Sequence, residues 1–419
     1  MDQPHTDHPL RAATVEELHA RPFPRATPGS FAWFVALRPL RRSERDRAAE
    51  RAQLDTLLAS ACLDAPAPGA THWTGQLGPL ALKWESHTEF VTYLLTGPDE
   101  GQVMDAARRI LGTAAGARIA SARFRILAAA DDAAVHAALR EDHAEDSLAL
   151  SRMIDDQVVV AGDFHPDPAG DMHFTLMARP GTGPARLGRI LQRLCEVETY
   201  RAMAMLGLIR ARDMGAELTE CETRLTAEIA RIGQPDTDAA ATLQALLDIA
   251  TRLEQLHSRT AYRFSATLAY ERIVNARIRV LRESRFEGRQ TFAEFMMRRF
   301  DPAMRTVEAT DRRLAQLTER AGRAGELLRT RVEVELSRQN RELLVSMDRR
   351  SEQALRLQHT VEGLSVVAIS YYATSLALYV AAPAEKLLGI GKTGLAAILT
   401  PLVVLATWAA LRRIRKALH

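Results

Sequence analysis

Lysine is almost missing from this sequence. It stands only at Lys83, Lys386, Lys392 and Lys416, and arginine supplies the rest of the 55 basic residues. Against 52 acidic residues the formal charge is +3, which excludes a strongly basic nucleic-acid binder as the default reading. Cysteine is scarce as well, at Cys62, Cys195 and Cys221. Their wide spacing fits neither a disulfide framework nor a zinc site, so three reduced thiols are expected. The opening residues MDQPHTDHPLRAATVEELHARP hold acids and prolines and no apolar core, so no secretory signal is expected there. GTGPARLGR lacks the Gly-Lys-Ser/Thr ending of a phosphate loop, and neither a nucleophile elbow nor an HExxH motif occurs. An enzyme is not expected, and no cofactor is called for.

Long apolar runs are absent from the first 362 residues, and then there are two. Residues 363–384 read GLSVVAISYYATSLALYVAAPA and residues 393–411 read TGLAAILTPLVVLATWAAL, both without charge. Each is long enough to cross a hydrocarbon core about 30 Å thick. The short EKLLGIGK between them forces an antiparallel hairpin. Arg412, Arg413, Arg415 and Lys416 follow the second run, and Arg349, Arg350 and Arg356 precede the first. The positive-inside rule then places both termini in the cytoplasm of a multi-pass inner-membrane protein, with lipid as a partner.

The rest reads as an α+β protein. FAWFVAL at residues 31–37 suits a buried strand, and residues 43–63 a helix capped by Ser43. PLALKWES, TEFVTYLL, RFRILAAA and DDQVVVAGDF are strand-like, and MHFTLMA at 172–178 pairs with the last across HPDPAGD. Helical patterns at 101–113 and 131–140 separate them, so the N-terminal domain at 1–183 is expected to be α/β. A helical region at 184–300 follows. It holds one helix through GRILQRLCEVETYRAMAMLGL, another over about 217–232, and a third capped by Asp238 and running past Arg282.

Asp301-Pro302 opens the longest element, since Pro in a first turn loses no useful donor. Apolar or small residues recur every three or four positions at Leu314, Leu317, Ala321, Ala324, Leu328, Val332 and Leu336, and again at Leu343, Met347, Ala354, Leu357, Val361 and Leu364. A coiled-coil-like stalk at 301–363 is expected, continuous with a first span at 364–382. Its stripe must be covered by the preceding helices or by copies of the chain. An outer loop at 383–392, a second span at 393–411 and a basic tail at 412–419 complete the order.

Several stretches together resemble a bacterial family of uncharacterised membrane-anchored proteins. They are HPLR at 8–11, ELHARPF at 17–23, LKWESHTEF at 82–90, GRILQRLCEVETYRAMAMLGL at 188–208, LLRTRVEVELSRQNRELLVSMDRR at 327–350 and LRLQHTVEGLSVVAISYY at 355–372. The order of parts also resembles the CorA-type magnesium channels, which are homopentamers. Tyr379-Val380-Ala381 stands where that family has Gly-Met-Asn. The resemblance implies a homo-oligomeric channel or transporter for a divalent or monovalent cation, with Glu385 in the outer loop. A scaffold or sensor without transport is the alternative. Tyr371, Ser375 and Tyr379 lie four apart, with Ser370 and Thr374 beside them, so one face of the first span either lines a pore or packs against another helix. His8, Glu16 and His19 are the weak candidates for a metal, though too few for a full set of ligands.

Overall fold

The computed structural model describes residues 7–8, 10–11, 15, 22–40, 45–139, 143, 147–232, 234, 238–383 and 391–418. They fall into two compact units, Met1–Thr237 with Gln244–Gly325, and Asp238–Leu243 with Glu326–His419.

The first unit is built on a nine-stranded sheet. Its strands are β1 (Ser30–Arg38), β2 (His72–Leu77), β3 (Leu80–Ser86), β4 (Val91–Gly97), β5 (Ala117–Ala128), β6 (Ala149–Met153), β7 (Val158–Pro166), β8 (Met172–Ala178) and β9 (Ser284–Arg285), in spatial order β2-β3-β4-β1-β5-β8-β7-β6-β9. Only β5 and β8 run parallel; every other pair is antiparallel. This corrects the α/β expectation. The helices α2 (Glu100–Gly112) and α3 (Asp132–Leu139) do join strands of like direction, but other strands lie between them: β1 separates β4 from β5, and β8 and β7 separate β5 from β6. The result is a split arrangement of α+β type.

Strand alternation sorts the side chains into two layers. Ala32, Phe34 and Ala36 of β1 enter a core with Leu187, Ile190, Leu191 and Leu194 of α4 (Pro184–Ile232). Trp33, Val35 and Leu37 face the other way, onto Leu54 and Leu58 of α1 (Arg47–Ala59) and Val103 and Ile110 of α2. A third core joins Val135 of α3 to Val159, Met177 and Phe286. Asp46 caps α1 by accepting from the Ala49 N–H at 2.9 Å; the expected cap, Ser43, lies outside the described residues.

The helices after residue 184 are longer and fewer than expected. One 49-residue helix, α4, replaces the two expected, because Gly207 is used for packing and not for a stop. A Cβ there would meet Thr267 Oγ1 at 2.3 Å, so glycine lets α5 (Ala239–Val280) lie close. Gly188 does the same for the chain at Pro24, whose carbonyl oxygen would be 1.6 Å from a Cβ. Asp238 caps α5 as expected, accepting from Ala240 and Ala241 at 2.9 and 3.1 Å. The helix ends at Val280, before Arg282, which takes a left-handed φ of 46°. The short α6 (Phe292–Arg299) begins with a capping box between Thr291 and Glu294.

The last two helices are α7 (Asp301–Ala381), 81 residues without a break, and α8 (Lys392–Leu418), which carries Pro401 inside it. Leu314, Leu317, Ala321, Ala324 and Leu328 are buried. Leu343, Met347, Leu357 and Val361, expected to be covered, are exposed. The heptad spacing therefore sets a stripe without supplying its cover.

Candidate functional site

The C-terminal part of α7 and the start of α8 are long and apolar enough to cross a membrane. Along α8, Ala396, Leu399, Val403 and Thr407 are half-buried at steps of three and four, the period of one helical face. On α7 the buried side centres on Ser370, 5% exposed, with Thr374 half-buried beside it. Tyr371 and Tyr379 point elsewhere, at 70% and 83% exposure, and Ser375 between them is half-buried. Packing inside this unit therefore occupies the Ser370–Thr374 side and leaves the tyrosines open. Glu385 lies outside the described residues, as do Glu16 and His19. His8 is exposed, and its Nδ1 accepts from the Leu10 N–H at 3.2 Å in a local turn. No metal-holding group occurs among the described residues.

A second site lies in the first unit. Strand β3 ends in a tight turn to β4, closed by the His87 N–H donating to the Phe90 carbonyl at 2.9 Å. Lys83 and Glu85 are two apart on β3 and so share the face that looks at α4. Both are buried: the Lys83 ammonium donates to Gln192 Oε1 at 2.9 Å and pairs with Glu85 at 3.2 Å. At the tip of the turn Glu89 is 2% exposed, unusual for a carboxylate at a hairpin tip. Helix α5 is the reason. Arg263 pairs with Glu89, and the Tyr270 hydroxyl donates to it at 2.7 Å. Arg38, at the end of β1, approaches the same carboxylate at 3.7 Å.

Burial pushes the Glu89 carboxyl up, but the hydrogen bonds from Arg263 and Tyr270 outweigh it and hold the group below the usual carboxylate range. Burial and the neighbouring Arg263 lower the Arg38 guanidinium in turn. Two arginines thus share one carboxylate, and Arg38 Nε and Arg263 Nη1 are buried without a hydrogen-bond partner. A third arginine, Arg45, clasps the turn from outside. It donates to the His87 carbonyl at 2.5 Å and to Ser86 Oγ at 3.1 Å, and is held by Glu50. The turn is fixed by charge on both sides, and it borders a cleft walled by Phe90, Tyr200 and Tyr270. Tyr200 and Tyr270 stack with ring centroids 5.4 Å apart.

Sequence reasoning marked LKWESHTEF and GRILQRLCEVETY as strand, helix and resemblance, not as a site. It gave no role to Lys83, Glu85, Glu89 or Gln192, and it missed Arg263 and Tyr270. The available signal was the set of charges inside an otherwise apolar strand, where Lys and Glu are seldom buried unpaired.

A comparison with curated proteins gives no match. A family model described as a protein of unknown function, DUF3422, matches residues 6–418. With nearly the whole length covered, hairpin and cleft together, the chain belongs to the DUF3422 family.

Proposed function

We propose that this protein is a homo-oligomeric inner-membrane protein with both termini cytoplasmic, in which copies of the first span surround a path for a cation. The carrying observation is that α7 runs unbroken from Asp301 to Ala381 while the tyrosine face of its apolar end stays uncovered. Polar groups at membrane depth are costly unless paired, buried or wetted, and residues four apart share a face. Tyr371, Ser375 and Tyr379 around a symmetry axis meet that need. The exposed Leu343, Met347, Leu357 and Val361 supply a seam through which copies associate.

Two measurements test the reading. Leu388→Cys should react with an impermeant thiol reagent in intact cells, while Leu10→Cys and Leu418→Cys should not. In reconstituted vesicles Ser375→Leu should change ion flux and leave oligomer size alone. A purified protein that stays monomeric and passes no ion removes the channel. A tethered scaffold or sensor then takes its place, a reading favoured by Tyr379-Val380-Ala381 standing where the channel resemblance requires Gly-Met-Asn.

A further inference from the structure

The cleft beside the β3–β4 turn is more than a packing defect. Its outer part, about 320 Å³, has an apolar floor of Phe90, Tyr200, Tyr270 and Ile273. Its mouth carries Arg47, Thr71 and Thr88, all exposed. Among the described residues these three side chains have neither a hydrogen bond nor an ion pair. Behind it lies a chamber of about 20 Å³ reached by Lys83, Glu85 and Gln192, and His87, Phe90 and Tyr200 line both. A space of that size holds about one water.

The charge balance around this cleft is positive. Arg45 is matched by Glu50, Arg277 by Glu196 and Lys83 by Glu85. Among the described residues Arg38 and Arg263 share Glu89, and Arg47 pairs with no carboxylate. Concave sites with apolar walls and a few convergent polar groups are the usual form of small-molecule pockets, and low-dielectric walls strengthen the field of the excess charge.

We propose that the cleft binds a small organic anion with a flat apolar body. Its carboxylate or phosphate sits at the mouth against the Arg47 guanidinium and the Thr71 and Thr88 hydroxyls, which donate to its oxygens. The body lies on Phe90, Tyr200 and Tyr270, and the Lys83 ammonium acts from behind through the chamber. Arginine is suited to this place because its planar fork donates two bonds to one acid group. The site belongs to the first unit alone and does not depend on the oligomeric reading.

The test is calorimetric titration of the full-length detergent-solubilised protein with benzoate, phenyl phosphate and neutral benzamide. At least one anion should bind ten times or more tighter than benzamide, and the preferred one tells carboxylate from phosphate. Arg47→Glu should weaken that anion at least fivefold with an unchanged melting temperature, as expected for an exposed side chain. Ile273→Trp, which fills the floor, should abolish binding of anion and amide alike. Equal affinity for anion and amide, no binding of either anion, or full affinity in Arg47→Glu would each overturn the proposal.

Discussion

Leu317 and Leu343 belong to one helix and one apolar series, yet Leu317 is 2% exposed and Leu343 is 61% exposed. Near the first, the chain supplies its own cover. Arg313 of α7 donates to Glu222 of α4 at 2.9 Å, and Leu218, Cys221 and Leu225 of α4 are buried. Between Leu328 and Ser370 no position is buried and surface ion pairs take over, such as Arg338 with Glu335 and Glu342 at 2.6 and 2.7 Å. The same spacing serves folding in one half and leaves an exposed apolar stripe in the other. Periodicity states which face is apolar; only the neighbouring helices decide who buries it.

The contrast between the two regions is open to direct attack. The largest effect is expected where charge is buried. Glu89→Gln leaves Arg38 and Arg263 without their carboxylate and should cost about 3–5 kcal/mol, seen as a lower denaturation midpoint. The pH dependence has a definite sign. The folded-state carboxyl lies below its unfolded value of about 4.3, so its contribution is complete above that value. It is lost as pH falls through the folded value, where the unfolded chain binds more protons. The variant should lack that part of the acid limb; an unchanged limb would assign acid sensitivity to other carboxylates.

Next comes the helix itself. Leu317→Ala should destabilise the first unit by about 2–5 kcal/mol, whereas Leu343→Ala should leave its unfolding transition within about 0.5 kcal/mol of the parent. Similar losses at both positions would erase the distinction. Met347→Pro should cost about 3 kcal/mol or more in the exposed half and reduce the proposed oligomer, measured by light scattering, without moving the transition of the first unit. An intact oligomer in that variant would show that the stripe is not the seam. Smallest of all, Arg338→Ala on the solvated face should change neither quantity.

What the sequence disclosed follows from how far its signals reach. The β7–β8 hairpin was legible because HPDPAGD carries its turn within a few residues, with Gly170 at a φ of 87°. Asp238 and Asp301-Pro302 announced helix starts by equally local chemistry. β6 was missed because ALSRM is five residues long and pairs with β7 and with the remote β9. Asp46 was missed as the cap because it and Ser43 both precede the same apolar face and either side chain can accept an N–H. The candidate cleft was out of reach for a different reason. Glu89 meets Arg263 and Tyr270 across 174 and 181 residues, and no spacing rule spans that distance. Tyr371 and Ser375 were placed on one face by their spacing, but the buried side proved to be at Ser370, and spacing alone does not say which face is covered.

Strand β9 carries a consequence for the order in which the protein is made. Ser284 and Arg285 pair with β6, and Phe286 and Phe292 complete two cores begun more than a hundred residues earlier. The sheet is therefore unfinished on the ribosome until residue 292 has emerged, and it must wait with an open edge while both long helices are synthesised. At roughly 5–20 residues per second, several seconds then separate Phe292 from Gly363. The sheet and its cores have the time to close before the first apolar run leaves the tunnel, so nascent chains stalled at residue 350 should already resist protease over residues 30–300.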